Sequence, residues 1–367
     1  MSAQPGRRPA VREDLALMEG YHSPQLEVAV RLNTNEAPEA PPAGFSDALA
    51  QAVRGIDWNR YPDREALALR RAIADSESGA VPGGLGEEQV MVANGSNEVL
   101  QAICLTYGGN GRAAATFEPT YALHSHIARI TGTQVVSGSR GADFQLDLAE
   151  VERLLTSARP AITFVCSPNN PTGAAETSET LDTILQMVEA VGGLLVVDEA
   201  YGQFSPRSAL GLLDPDRPLV VTRTFSKTWS AAALRLGYAI GPGWLTEDTS
   251  AVLLPYHLDA FKQLAGRTAL RFGDEMRARV AYLAEERGRV TAAFEELAVD
   301  WWRSDANFVL FRPRPVDGAE VWQRLVDDGV LVRNCSSWPG LEGCLRVTIG
   351  TRAENEAFLS ALARALG

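Results

Sequence analysis

Residues 220–227 read VVTRTFSK. The apolar start predicts a buried strand, and this strand delivers two hydroxyl groups, Thr224 and Ser226, followed by the amine of Lys227. Most lysines lie on the surface. A lysine that follows a buried strand and is flanked by hydroxyls is instead a candidate nucleophile, because desolvation lowers the pKa of its amine. We therefore predict that Lys227 is catalytic.

A second apolar strand is predicted upstream, where residues 196–201 read VVDEAY and end in the acid Asp198 and the phenol Tyr201. Asn170 lies further upstream in SPNNPTG, residues 167–173. An amine that can form a Schiff base, an acid that can hold a pyridinium nitrogen and hydroxyls that can bind a phosphate are the parts of a pyridoxal 5'-phosphate site. We expect Asp198 to keep the pyridine nitrogen protonated. Tyr201 and Asn170 are expected to donate hydrogen bonds to the oxygen on the ring.

A phosphate site is predicted where a strand ends and a helix begins at Gly95, Ser96 and Asn97. Free backbone N–H groups at a helix start bind anions, and the helix dipole adds to this. Read alone, the segment is also typical of an ordinary helix cap. Arg235 and the hydroxyls beside Lys227 favour the phosphate, because they add donors and a fixed positive charge. Tyr121 is a candidate to stack on the cofactor ring.

Two arginines, Arg333 and Arg346, interrupt apolar strand patterns near the end of the chain. Arginines at such positions either lie at a strand edge or bind an anion through both arms of the guanidinium, and we predict the second role for both. His124 and His126 lie two residues apart beside no carboxylate cluster, so no metal site is predicted.

The chain of 367 residues alternates helical segments with short apolar strands. This pattern predicts an α/β fold in which helices cover a mostly parallel central sheet, plus a smaller α+β domain. We divide the chain into an N-terminal arm (1–45) that is part of the small domain and forms a lid, a large cofactor-binding domain (46–258) and a small C-terminal domain (259–367). The arm contains one strand-like piece, Val28 to Leu32, and one long helical stretch is predicted at about 256–297.

The composition excludes several classes of protein. The sequence has 34 basic and 46 acidic residues and a formal charge of −12, which argues against non-specific nucleic-acid binding. No apolar stretch reaches the roughly 18–20 residues of a membrane span, and the start lacks the apolar core of a signal peptide. The four cysteines form no C-x-x-C pair, which favours reduced, buried thiols. We therefore expect a soluble, cytoplasmic protein.

Together these motifs resemble the fold-type I pyridoxal-phosphate-dependent aminotransferases, and among them the family of histidinol-phosphate aminotransferases. The resemblance covers nearly the whole chain, from Leu32 to the last helix. It is carried by LNTNEAP (32–38), YPD (61–63), NGSNE (94–98), NNPTG (169–173), DEAY (198–201), TFSK (224–227), RLGY (235–238), PYHL (255–258) and LRVTIGT (345–351).

The resemblance implies the same roles for the residues above and adds others. It implies a homodimer in which Tyr61 reaches the cofactor phosphate of the other subunit. It also implies that Tyr21 and the segment from Asn33 to Glu36, within the N-terminal arm, form a lid over the substrate, and that Asn307 lies near the carboxylate-binding arginine. The implied reaction moves the amino group of L-histidinol phosphate to 2-oxoglutarate, giving imidazole acetol phosphate and glutamate, a step of histidine biosynthesis.

The segment after the lysine departs from the family pattern. Residues 228–232 read TWSAA, which is bulkier than expected, so Trp229 is predicted to reshape the pocket. Three alternatives stay open: an aminotransferase for aromatic or specialised amino acids, a decarboxylase of a phosphorylated amino acid with the same cofactor, and a non-catalytic protein that binds the cofactor.

Overall fold

The computed structural model describes residues 9–15, 20 and 26–367, so the predicted lid residue Tyr21 lies outside the described residues. Within these residues the α-helices are α1 Ala43–Val53, α2 Leu67–Glu77, α3 Ser96–Tyr107, α4 Leu123–Ile130, α5 Leu148–Ala158, α6 Ser178–Val191, α7 Gly243–Ser250, α8 Ala260–Leu270, α9 Gly273–Phe294, α10 Gly318–Asp327 and α11 Arg352–Leu366. The strands are β1 Val30–Leu32, β2 Val90–Ala93, β3 Ala113–Glu118, β4 Gln134–Ser139, β5 Ile162–Cys166, β6 Leu194–Asp198, β7 Leu219–Thr224, β8 Gly237–Ile240, β9 Val299–Trp301, β10 Phe308–Pro313, β11 Val330–Asn334 and β12 Leu345–Thr348.

Seven strands form the large sheet, in the order β2-β8-β7-β6-β5-β3-β4. All neighbours are parallel except at β8, which runs antiparallel to both β2 and β7. The central strands β5, β6 and β7 are buried at every position, as expected for a parallel sheet covered on both faces. The predicted mostly parallel α/β sheet is therefore confirmed.

The small sheet has the order β1-β11-β12-β10-β9. Its first strand comes from the N-terminal arm: β1 lies parallel to β11, with Val30 opposite Val330 and Leu32 opposite Val332. Leu32 is buried in the core of this sheet. Strand β1 therefore ties the polar segment that follows it, residues 33–36, to the small sheet.

The long helical stretch predicted at about 256–297 is present as two consecutive helices, α8 and α9. Helix α8 begins only after Asp259, whose side chain accepts a hydrogen bond from the backbone N–H of Lys262. It ends before Phe272, where α9 starts. Helix α8 packs against α1 and α2 of the large-sheet side. Among the described residues, no helix combines the length and apolar character needed to cross a bilayer.

Candidate active site

A cleft of about 430 Å³ opens where β5, β6 and β7 end, facing β11 and β12 of the small sheet. This volume lies within the range of small-molecule sites. Of the residues predicted from the sequence, the cleft is lined by Asn33, Glu36, Ser96, Asn97, Tyr121, Asn170, Asp198, Tyr201, Thr224, Ser226, Lys227, Arg235, Arg333 and Arg346. Residues far apart in sequence therefore converge as the parallel-strand argument requires.

Lys227 extends into this cleft from the turn after β7. Its Nζ donates to the carbonyl oxygen of Thr34 at 2.9 Å and lies 5.9 Å from the centroid of the Tyr201 ring. Burial and the positive charges of Arg346 and Arg235, opposed by Glu36, lower the pKa of Lys227 to about 8. The amine of Lys227 therefore becomes neutral, and nucleophilic, at a lower pH than the amine of an ordinary lysine.

This pKa predicts the pH dependence of Lys227 acetylation in cofactor-free enzyme. Only the neutral amine reacts, so modification should rise with pH around a midpoint of about 8. Replacing Glu36→Gln removes a negative charge that stabilises the ammonium, so the midpoint should move to lower pH. Peptide mass spectrometry after a pulse of acetic anhydride measures both. A midpoint near the 10.5 of an unperturbed lysine would contradict the proposed environment.

Asp198 ends β6 with only 1% of its surface exposed. Its Oδ1 accepts hydrogen bonds from the backbone N–H of Ala200 at 3.0 Å and from Thr222 Oγ1 at 3.2 Å. Its Oδ2 lies 2.9 Å from Nε2 of His124. A buried carboxylate is stable only when it is paired or hydrogen-bonded, and these contacts fix its orientation toward the cleft.

His124 is a site residue that the sequence did not reveal. It lies on α4, fully buried, with its ring stacked 4.9 Å from that of Phe164. The ring of Tyr121 meets it edge-on at 5.4 Å. Because its carboxylate partner Asp198 lies 74 residues further along the chain, no local pattern could have indicated the pair.

The start of α3 forms one side of an anion site. Gly95 precedes the helix with φ +86°, and a Cβ at this position would lie 3.0 Å from Nη2 of Arg235. Arg235 Nη1 donates to Ser226 Oγ at 3.3 Å, and Thr224 Oγ1 donates to the same oxygen at 3.0 Å. A helix start, two hydroxyls and a guanidinium therefore meet at one place, which is the donor set that a phosphate requires.

The walls of the cleft carry the remaining polar groups. Tyr201 OH accepts a hydrogen bond from Asn35 Nδ2 at 2.9 Å, and burial raises the pKa of Tyr201 to about 12, so it is a proton donor at neutral pH. Tyr121 OH donates to Asn97 Oδ1 at 3.4 Å. With the acid at the end of β6, the lysine after β7 and the phosphate donors beside α3, this arrangement fits a flat, phosphate-bearing pyridine aldehyde such as pyridoxal phosphate.

Two arginines lie directly opposite each other on neighbouring strands, Arg333 on β11 and Arg346 on β12. Arg346 is buried, donates to Asn170 Oδ1 and to the carbonyl oxygen of Asn33, and lies 5.1 Å from the Phe308 ring centroid. Like charges directly opposite in a sheet repel each other. Both line the cleft, so a bound anion between them would relieve the repulsion.

Several sequence-derived candidates lie outside the cleft lining. Asn307 is buried behind it and donates to the Asn35 carbonyl oxygen at 3.2 Å. Tyr61 is 80% exposed and stacks on Tyr256 at 4.5 Å. The expectation that Trp229 reshapes the pocket is wrong, because its ring packs into the large core against Phe225 at 5.6 Å. Within the part of the chain that the structure describes, no cluster of three or more His, Cys, Asp or Glu side chains suits a metal.

Comparison with known proteins identifies aminotransferases in each case. The family model for aminotransferase class I and II matches residues 27–362. A histidinol-phosphate aminotransferase of Frankia casuarinae is 44% identical over 362 residues, which cover 97% of this chain and 90% of that protein. A protein of the same name from Mycolicibacterium smegmatis is 44% identical over 363 residues, covering 97% of this chain and 93% of the relative.

Among solved structures, histidinol-phosphate aminotransferase from Sinorhizobium meliloti, in complex with pyridoxal 5'-phosphate, shares the fold. The TM-score is 0.83 at 22% identity, covering 93% of this chain and 91% of that one. The family match spans both sheets and every cleft residue described above. The chain therefore belongs to the class I and II aminotransferases.

Proposed function

We propose that this chain is a pyridoxal-phosphate-dependent aminotransferase that transfers the amino group of L-histidinol phosphate to 2-oxoglutarate. Relatives at 44% identity over nearly the full length carry the name histidinol-phosphate aminotransferase. The observation in the structure that carries the proposal is the opposed pair Arg333 and Arg346 at the cleft, because it suits a substrate with a dianionic group.

The cofactor would be held by residues of the large sheet. Asp198 would face the pyridine nitrogen, Asn170 and Tyr201 the ring oxygen, and Tyr121 the ring face. The phosphate would bind at the site formed by Gly95, Ser96, Asn97, Thr224, Ser226 and Arg235. When bound, pyridoxal phosphate supplies an electron sink for the carbanion formed at the substrate Cα.

The chain's own residues then perform proton transfer and orientation. Lys227 is the residue to which the aldehyde carbon would be attached, and its Nζ is the base that removes the proton from the substrate Cα. Its pKa of about 8 suits this role, because a base is most effective when its pKa lies near the working pH. Tyr201, whose hydroxyl stays protonated at that pH, would hold the ring oxygen by a hydrogen bond.

The two substrates differ in their anionic groups. Histidinol phosphate carries a phosphate and no carboxylate, whereas glutamate carries two carboxylates. Guanidinium groups bind either kind of oxyanion through both arms, so Arg333 and Arg346 can serve both half-reactions. Arg346 is fixed by Asn33 and Asn170, Glu36 lines the substrate side of the cleft, and Asn307 supports this side from behind through the Asn35 carbonyl.

An Arg333→Ala variant should therefore lose activity toward histidinol phosphate. Truncating one partner of a desolvated ion pair costs about 2–5 kcal/mol, which predicts a fall in kcat/KM of roughly 30-fold or more. Steady-state kinetics with histidinol phosphate, and with phenylalanine for comparison, measures the effect.

The matched control is Arg312→Ala. Arg312 also lies on the small sheet against a tryptophan ring, Trp302 at 5.6 Å, but it does not line the cleft, so its removal should leave kcat/KM within about twofold. Unchanged kinetics of the Arg333 variant would refute the role of the pair. A wild-type preference for phenylalanine would refute the proposed substrate, as would CO2 release that needs no amino acceptor.

The proposal also includes a homodimeric assembly and a cytoplasmic location. Tyr61 lies away from this chain's own cleft, strongly exposed, so in a homodimer it can reach the cofactor phosphate of the other subunit. All four cysteines are free and buried, which is typical of a reducing compartment and supports a cytoplasmic location. The division into an arm (1–45), a large domain (46–258) and a small domain (259–367) belongs to the same proposal.

A further inference from the structure

Trp338 lines the cleft, although no motif in the sequence pointed to it. It lies in the loop between β11 and β12, which is held by backbone hydrogen bonds from Trp338 N–H to the Cys335 carbonyl and from Leu341 N–H to the Trp338 carbonyl. Beneath the loop is a small core that includes Cys335, Leu341 and Cys344. The packing of the loop on this small core therefore fixes the position of the indole.

The indole also bonds to the other sheet. Trp338 Nε1 donates to the carbonyl oxygen of Thr120 at 3.0 Å. Thr120 is buried just after β3 and is itself fixed, because its Oγ1 donates to Asn169 Oδ1 at 2.8 Å. The next residue, Tyr121, lines the cleft. Trp338 therefore spans from the small sheet to the large one beside the proposed cofactor ring.

The guanidinium of Arg333 lies over the face of the Trp338 indole. The Cζ atom of Arg333 lies 5.2 Å from the Trp338 ring centroid, within the range of a cation–π contact. Both residues line the active-site cleft and also a second, more open hollow of about 540 Å³ on the other side, where Glu118 and Arg129 lie. Trp338 and Arg333 therefore form part of the wall between the two spaces.

We propose that Trp338 is a positioning residue that holds Arg333 toward the cleft and thereby sets the preference for a phosphorylated amine over an amino acid; this rests on the proposed function. In histidinol phosphate the anion is joined through an additional methylene and oxygen, so it reaches further from Cα than the α-carboxylate of glutamate. For the shorter α-carboxylate, Arg346, fixed by Asn33 and Asn170, supplies the main contact. The phosphate also needs Arg333 in place.

The test is a double-mutant cycle on the holoenzyme with Trp338→Leu, Arg333→Ala and the combined variant. Trp338→Leu should raise KM for histidinol phosphate about five- to tenfold, with kcat and KM for 2-oxoglutarate changed less than about twofold. Adding it to Arg333→Ala should cause no further rise, because its effect passes through Arg333. Trp338→Phe keeps an aromatic face and should recover part of the loss.

Two outcomes would overturn the proposal: additive effects of the two substitutions, or an equal fall in kcat/KM for histidinol phosphate and for 2-oxoglutarate. Trp244→Leu is the matched control: it also removes an indole that donates to a backbone carbonyl, that of Pro215, but one that does not line the cleft, so it should leave KM unchanged. The inhibition constant of inorganic phosphate, measured for each variant against whichever amine the enzyme turns over, also gives the coupling between Trp338 and Arg333. This readout does not depend on the identity of the substrate. A wild-type enzyme that rejects histidinol phosphate would therefore refute the proposed function alone.

Discussion

Replacing Lys227→Ala should reduce kcat by about 10⁴-fold or more, because the variant loses both the covalent attachment point and the base. Lys227→Arg should be equally impaired, since a guanidinium keeps the positive charge but cannot act as the nucleophile. Single-turnover measurements with histidinol phosphate, followed by the absorbance of the cofactor, separate loss of proton transfer from loss of binding.

The chain provides an unusually clear control for this prediction. Lys262 is the only other lysine in the sequence. It lies on α8, forms an ion pair at 2.9 Å with Asp259 at the N-cap of that helix, and does not line the cleft. Lys262→Ala should leave kcat within about twofold, because a single exposed ion pair contributes little. If Lys227→Ala retained a tenth of wild-type kcat, the assignment of the base would be wrong.

Replacing Asp198→Asn should lower kcat by about 10³-fold, which is the scale of removing one pre-organised electrostatic contact from an active site. The amide has the shape of the carboxylate and can still accept from Ala200 N–H and Thr222 Oγ1, so the fold should be retained. What is lost is the negative charge that would hold the pyridine nitrogen cationic. Far-UV circular dichroism checks the fold, and the half-reaction with glutamate measures the rate.

Thr222→Val is the matched control for Asp198. It removes a neutral hydroxyl that donates to the same carboxylate while the charge stays, so kcat should fall by about tenfold or less. An Asp198→Asn variant that is no slower than Thr222→Val would show that the charge contributes nothing to the rate, and the proposed role of Asp198 would have to be abandoned.

The sequence predicted the large sheet, and with it which polar residues lie at the ends of its strands, for a physical reason. In a parallel sheet the chemistry-bearing residues follow directly after apolar strands, so Asp198 and Lys227 could be found from strand patterns alone. The register confirms that these strands are neighbours, with Asp198 opposite Thr222.

Contacts between distant segments could not be predicted. His124 meets Asp198, and Trp338 meets Thr120, across 74 and 218 residues respectively, and nothing local marks either pair. Trp229 shows the opposite error: a bulky residue two positions after the lysine was expected in the pocket, but the turn directs its ring into the core beside Phe225. Propensity and periodicity do not determine which way a turn directs a side chain.

The most direct test of the account is borohydride reduction of the purified holoenzyme followed by tryptic peptide mapping. Because trypsin does not cleave after a modified lysine, we predict that the mass of the reduced cofactor appears on the peptide 224–235, which contains Lys227. The peptide 236–262, which ends at Lys262, should appear unmodified, whereas cofactor on Lys262 would instead give a modified peptide 236–267. Cofactor on the Lys262 peptide, or on neither of the two, would contradict the central claim.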